Sequence, residues 1–338
     1  MKVALICRSF DKNSGQGIYK MAGYLYENLK RFSDLDVQKI ESESKNPYYF
    51  DLVECPKKVL NTNFDIYHFL MPENCLPILL SKKMREKSIV TIHDAIIYKI
   101  KERKWLSEKY IKLMYHIARR ARMITTPSRQ SKKDLISIVK VPEHKIFELP
   151  WGVDLNHFKP KKSEKGLSGG KTVVGYVGGL GKRKNVEWLL YIAKDLEDDI
   201  HVKIAGSGSR LPFLIELKNK LRLTNVEFVG FVDEKKLPEF YNSLDVFVFP
   251  SFYEGFGVPL LEAMACEVPY VIGTNAGIGE ILPIYKIENF NELKDMLMKI
   301  KNRKIPPLKN QRAWVIKNKL TWRDHIKELV KIYSGVAE

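Results

Sequence analysis

Cysteine is scarce in this 338-residue chain: Cys7, Cys55, Cys75 and Cys266 lie far apart with no paired spacing. Such spacing does not fit a disulfide framework or a zinc site, so reduced, buried thiols of a cytoplasmic protein are the expectation. Apolar runs of membrane-spanning length are also missing. The opening Met-Lys-Val-Ala-Leu-Ile-Cys-Arg reads as a strand rather than a signal peptide, because its apolar run is too short and a charge follows at once. A soluble chain, or one bound at a membrane surface, is expected. Acid is in deficit as well, with 57 Lys and Arg against 40 Asp and Glu, a formal charge of +17.

That excess is unevenly placed. From 99 to 140 thirteen Lys and Arg stand against three Asp and Glu, a local net charge of +10. Within it Ile100, Trp105, Leu106, Tyr110, Ile111, Leu113, Met114, Ile117 and Ala118 recur at helical spacing among the cations, which predicts a basic amphipathic helix. An ordinary surface helix packed on a sheet satisfies the pattern. Attachment to anionic lipid headgroups satisfies it too, each basic residue adding about 1 kcal/mol. No nucleic-acid module is recognisable, and no nucleic-acid partner is expected.

With 45% hydrophobic residues the length suffices for two sizeable cores. Short apolar runs read as strands at Val3 to Cys7, Asp36 to Ile40, Asp65 to Leu70, Ser88 to His93, Met123 to Thr126 and Lys145 to Leu149, with helical stretches between most of them. After a Lys-, Ser- and Gly-rich crossover from Pro150 to Gly170 the pattern repeats, with strands at Thr172 to Gly178, His201 to Ala205, Val226 to Phe228, Asp245 to Phe249 and Tyr270 to Gly273. This alternation predicts an α/β fold with parallel sheets covered on both faces and ligands at the carboxyl ends of the strands.

The most informative strand end begins at Phe249 and reads Phe-Pro-Ser-Phe-Tyr-Glu-Gly-Phe-Gly-Val-Pro-Leu-Leu-Glu. Pro259 suits the first turn of a helix, where its missing N–H has no partner to lose. Gly255 and Gly257 leave free amides at a positive helix end, a place for an anion. Glu254 and Glu262 bracket that end, which suits a ligand carrying both phosphate and hydroxyl groups. For either glutamate alone, a helix-capping or solvated surface role is an equal reading.

Glu254 and Glu262, with seven residues between them in a Glu-Gly-Phe-Gly context, resemble the signature of the retaining glycosyltransferases of family 4. The resemblance implies the GT-B fold, two Rossmann-like domains facing a central cleft. The acceptor domain would comprise 1–150, with the terminal helix 321–338 returning to it, and the donor domain 151–320. It implies that Glu254 contacts the transferred sugar, that Glu262 holds the nucleotide ribose, and that the amides near Phe256 and Gly257 approach sugar and diphosphate.

Other strand ends are read in the same light. In Asp11-Lys12-Asn13-Ser14-Gly15-Gln16-Gly17, Gly15 and Gly17 could present amides to a phosphate or merely shape a turn; the family uses a glycine-rich loop here against donor or acceptor. Lys20 stands where a dinucleotide fingerprint needs its third glycine. His93-Asp94 could position a hydroxyl, or cap the next segment; the family places this histidine close to the transferred sugar, and Asp94 is a lesser candidate. His68, inside a strand, reads as structural. In Gly178-Gly179-Leu180-Gly181-Lys182-Arg183-Lys184 cations and amides converge, and Lys184 occupies the position of the family's diphosphate-binding lysine. Gly179 stands where many members have an arginine, a part for Arg183 or Lys182 to take.

The resemblance therefore implies transfer of a hexose from a nucleotide-diphosphate sugar to an acceptor hydroxyl, glycan or lipid-linked, with retention. No cofactor and no metal is expected, since no Asp-x-Asp ends a strand. A sugar-nucleotide epimerase or phosphorylase on the same fold, and a catalytically inactive basic protein binding membrane or nucleic acid, are the alternatives. Donor base, sugar and acceptor are open.

Overall fold

The computed structural model describes residues 1–14, 17–100, 105–161 and 170–337. It divides into two units, Met1–Gly152 with the segment from Trp322 onward, and Val153–Thr321.

The first unit is built on six parallel strands: β1 (Lys2–Ile6), β2 (Asp36–Ile40), β3 (Ile66–Phe69), β4 (Ser88–Thr91), β5 (Met123–Thr126) and β6 (Ile146–Glu148). Their order is β2-β1-β3-β4-β5-β6, with Val3 opposite both Val37 and Ile66. β3 and β4 are buried along their whole length while the edge strand β2 buries little beyond Val37. Continuous apolar runs belong to strands covered on both faces.

Helices cover those faces. Ser128 caps the helix Arg129–Ser137 by accepting from the Ser131 N–H. The last helix, Trp322–Ala337, also belongs to this unit. Ile326, Leu329 and Tyr333 on it are buried, Trp322 stacks on Tyr24 with ring centroids 5.4 Å apart, and His325 stacks on Trp151 at 4.8 Å. Full burial of each large side chain is worth about 1.5–3 kcal/mol. Two histidines fix its register. His325 Nδ1–H donates to the Pro150 carbonyl (2.7 Å), and His68 bridges the Tyr333 hydroxyl (2.7 Å) and Thr91 Oγ1 (2.7 Å). Burial pushes His325 down to about 4 against its bond to Pro150. Burial, then the neighbouring His325 and His93, push His68 down to about 3.

The second unit has its own parallel sheet of β7 (Thr172–Val177), β8 (Ile200–Ala205), β9 (Val226–Gly230), β10 (Val246–Phe249), β11 (Tyr270–Gly273) and β12 (Tyr285–Lys286), ordered β12-β11-β10-β7-β8-β9. The strand order reverses between β1 and β3 in the first sheet and between β7 and β10 in the second. In open parallel sheets the crevice at that reversal is where ligands are held.

Two expectations need correction. The basic stretch is not one helix: Ile96–Lys99 is a short turn, 101–104 lie outside the described residues, and the helix proper is Trp105–Ala118. Its buried face is Ile111, Met114, Tyr115, Ile117 and Ala118. Trp105 and Leu106, expected on that face, are 63% and 73% exposed. At about 100° per residue Trp105 lies about 120° around the helix from Ile111 and about 180° from Met114, and Leu106 about 140° and about 80°, off the single stripe of a 3.6-residue repeat that faces the sheet. Among the described residues no helix is long and apolar enough to cross a membrane.

Candidate active site

Glu254 and Lys184 meet at the strand-order reversal of the second sheet. After β7 the chain passes Gly178 to Gly181 into a short 3-10 turn, Lys182–Lys184, which ends at Asn185 in the left-handed region with φ 50°. Asparagine tolerates that conformation better than most residues. After β10 the loop from Pro250 leads to Gly257, at φ +99°, and the helix Val258–Ala265. The two loops are tied directly: Asn185 Nδ2 donates to the Pro250 carbonyl (3.0 Å) and the Phe252 N–H to the Arg183 carbonyl (3.1 Å).

Across this seam Glu254 Oε1 accepts from Lys184 Nζ at 2.5 Å and from Arg183 Nη1 at 2.7 Å, and the same guanidinium donates to the Tyr253 carbonyl at 2.8 Å. Lys184 Nζ also lies 4.9 Å from the centroid of the Phe249 ring. Glu254 and Lys184 are both buried. Burial alone would raise the Glu254 carboxyl, but the charges and hydrogen bonds of Lys184 and Arg183 outweigh it and hold the group below the usual carboxylate range. Glu254 is thus ionised, and the three side chains together carry one positive charge beside the helix start.

Glu262 is buried one turn inside that helix, where Oε2 accepts from the Tyr241 hydroxyl at 2.8 Å. Burial first, and then Glu262, push that phenol upward. Phe256 is buried and its carbonyl accepts from the Ile278 N–H at 2.6 Å, so the turn from Ala276 to Glu280 closes over the Glu-Gly-Phe-Gly loop. Gly277 is required there. At φ +59° its Cβ would stand 2.4 Å from the Phe256 oxygen.

Five residues expected at the site, Lys184, Arg183, Glu254, Phe256 and Gly257, are therefore gathered around one seam, with Glu262 behind it on Tyr241. His93 and Gly17 belong to the first unit. His93 lies two residues beyond β4, donates Nε2–H to the Leu70 carbonyl (2.9 Å) and stacks on Trp151 at 5.6 Å. Because a carbonyl only accepts, the neutral ring keeps its lone pair on Nδ1. Burial pushes His93 down, opposed by the bond to Leu70 and the charge of Asp94. Gly17 opens the helix Gly17–Leu29, and Gly15 lies outside the described residues. Asn185 and Tyr241 were not singled out from sequence. An asparagine directly after three cations at a strand end is a signal for a left-handed turn, whereas nothing in the sequence pairs Tyr241 with Glu262.

Residues 2–157 match the family model described as Glycosyltransferase Family 4, and residues 158–292 match Glycosyl transferases group 1. An uncharacterized glycosyltransferase of Methanocaldococcus jannaschii is 33% identical over 171 residues, 47% of this chain and 44% of the relative. O-antigen chain mannosyltransferase B of Escherichia coli is 28% identical over 216 residues, 58% of this chain and 55% of the relative. These alignments span about half the length of the curated relatives. Among solved structures, sucrose-phosphate synthase from Thermosynechococcus elongatus superposes with a TM-score of 0.82 at 18% identity, covering 99% of both chains. The Anabaena protein HepE, solved with UDP and glucose, gives 0.78 at 17% identity, covering 99% of this chain and 100% of that one.

Proposed function

Because the chain belongs to the family 4 type of glycosyltransferases and has the GT-B fold, we propose that it moves a hexose from a nucleotide-diphosphate sugar to an acceptor hydroxyl with retention. The observation that carries this reading is the buried Glu254 holding Lys184 and Arg183 beside the start of the helix Val258–Ala265. A leaving diphosphate gains negative charge as the glycosidic bond breaks, and fixed cations and amides in a place shielded from water stabilise that charge strongly. Lys184 and Arg183 supply the cations, with Arg183 standing in for an arginine at Gly179. In a same-face substitution the acceptor oxygen forms its bond as the diphosphate departs, and the leaving phosphate oxygen takes the acceptor proton. This route requires neither a carboxylate nucleophile nor a metal.

Glu254 then has two tasks, aligning the cations and accepting from a sugar hydroxyl. Glu262, set by Tyr241, is assigned to the ribose, and the lone pair on His93 Nδ1 can accept from a hydroxyl of the transferred sugar. The likeness to a protein solved with UDP and glucose favours a nucleotide sugar, while a relative from Corynebacterium glutamicum is named for GDP-mannose. Thermal unfolding with UDP, GDP, ADP and their sugars, without added metal, separates the bases: a ligand at a hundred times its Kd adds about 2.7 kcal/mol. A shift with one base identifies the donor class. No shift with any would favour the inactive binding protein, and products formed from donor alone would favour the epimerase or phosphorylase.

Peripheral contact with an anionic membrane, and with it a lipid-linked acceptor, is favoured by one further observation. Trp105 and Leu106 are highly exposed on the helix Trp105–Ala118, and Lys109 Nζ lies 3.8 Å from the centroid of the Trp105 ring. An aromatic and an aliphatic side chain beside cations is the composition of an interfacial helix.

A further inference from the structure

The strand order of the first sheet reverses between β1 and β3, so that unit has its own crevice of the kind that holds ligands. Arg8 lies two residues beyond β1, and Glu73 and Asn74 lie just beyond β3. The carboxylate they surround is Asp51, fully buried in a single π-helical turn, Phe50–Glu54. Such turns are rare and concentrate at functional sites. Asp51 Oδ1 accepts from Arg8 Nε (2.9 Å) and Asn74 Nδ2 (2.8 Å), and Oδ2 accepts from the Tyr110 hydroxyl (2.9 Å) and from Arg8 Nη2. Asn74 Oδ1 is buried with no hydrogen-bond partner.

This cluster is joined to aromatic surface. Tyr48 packs against Tyr110 with ring centroids 5.3 Å apart, and 44% of Tyr48 is exposed. Asn46 holds Tyr48 in place by accepting the Tyr48 and Tyr49 N–H groups through its side chain. The charges here do not favour an anion. Asp51 cancels Arg8: burial pulls the Arg8 guanidinium down, the bond and charge of Asp51 outweigh it and push it up, and Glu73 adds to that upward field. Planar hydrogen-bonding groups without net positive charge, beside an exposed tyrosine ring, match a molecule rich in hydroxyls and bare of charge.

We infer that Arg8, Glu73 and Tyr48 form a subsite for an uncharged pyranose, the terminal sugar of the acceptor, with the buried Asn74 helping to hold Asp51. This deepens the transferase reading and rests on it for the word acceptor. Tyr48 offers ring area to the apolar face of the sugar, and the Arg8 cluster offers donors and acceptors to its hydroxyls.

Saturation-transfer NMR tests it with methyl α-glucoside, methyl α-mannoside and methyl α-galactoside against methyl glucuronide. Wild-type protein should transfer saturation to at least one neutral glycoside and less to the glucuronide. Tyr48→Ala, at an exposed position, should fold and lower the effect about fivefold, in keeping with the energy of an aromatic contact. Arg8→Lys should lower it as well, and wherever Arg8→Lys unfolds the protein the Tyr48→Ala result decides. Absence of transfer to every neutral glycoside, preference for the glucuronide, or an unchanged signal in Tyr48→Ala overturns the inference. The nucleotide thermal shift is recorded on the same samples. If the nucleotides shift wild type and Tyr48→Ala alike, the donor reading stands whatever the glycosides do. If no nucleotide shifts wild type, that reading has failed, and the glycoside signal judges the sugar subsite by itself.

Discussion

Neutralising Glu254 separates two effects that its position combines. Glu254→Gln keeps the shape but leaves Lys184 and Arg183 without their carboxylate, and breaking a buried pair from one side costs about 3 kcal/mol or more. The urea midpoint should fall accordingly, and turnover should fall severely; wild-type turnover with donor bound would remove Glu254 from the site. Lys184→Met should lower kcat by about a hundredfold or more if its cation stabilises the leaving diphosphate. An effect confined to KM would make it a ground-state contact instead. The pH dependence has a definite sign. The native Glu254 carboxyl lies below the ordinary carboxylate value, so the pair's stabilisation is present above that value and is lost as pH falls through the native one. The glutamates and the three cations were legible in the sequence because glycine, proline and charge fall together at two strand ends. Their direct pairing was not, since Lys184 and Glu254 are 70 residues apart and meet only when β7 and β10 become neighbours.

At the scale of elements, the terminal helix Trp322–Ala337 depends on histidines that must stay neutral. His325 and His68 titrate near 6.5 in an unfolded chain, whereas burial pushes them to about 4 and about 3 in the native one. Between those values the unfolded chain binds more protons, so stability falls as pH drops from about 6.5 towards 4. Urea unfolding followed by tryptophan fluorescence, with Trp151 and Trp322 both packed on His325, should show midpoints declining through that window. A flat profile would mean that the helix does not rely on neutral imidazoles. The alternation of strands and helices was readable because strands buried on both faces are continuous apolar runs. β12, only Tyr285–Lys286, is too short to carry such a signal. The helix Trp105–Ala118 was readable as a helix but not in its orientation, for apolar residues occur on two of its faces and only packing selects Ile111 and Met114 over Leu106 and Leu113.

For the molecule as a whole, a charge of +17 has a cost in self-repulsion, and its placement bears on what offsets it. The described part of the basic stretch presents Lys109 and Arg120 on the exposed side of the chain, with Trp105, Leu106 and Leu113 also exposed on the helix before Arg120. Cations alone would give binding that salt abolishes; exposed apolar side chains alone would give binding indifferent to lipid charge. Both together predict co-sedimentation with vesicles containing phosphatidylserine or phosphatidylglycerol, weak with phosphatidylcholine alone, and reduced but not abolished by salt above the range where the Debye length is about 8 Å. Trp105→Ala with Leu106→Ala should remove the salt-resistant part while leaving the nucleotide thermal shift untouched, since those residues lie in the first unit and the Glu254 seam in the second. Equal binding to neutral and anionic vesicles would refute the electrostatic part. No binding to either would return the stretch to an ordinary surface helix and leave a soluble acceptor as the better reading.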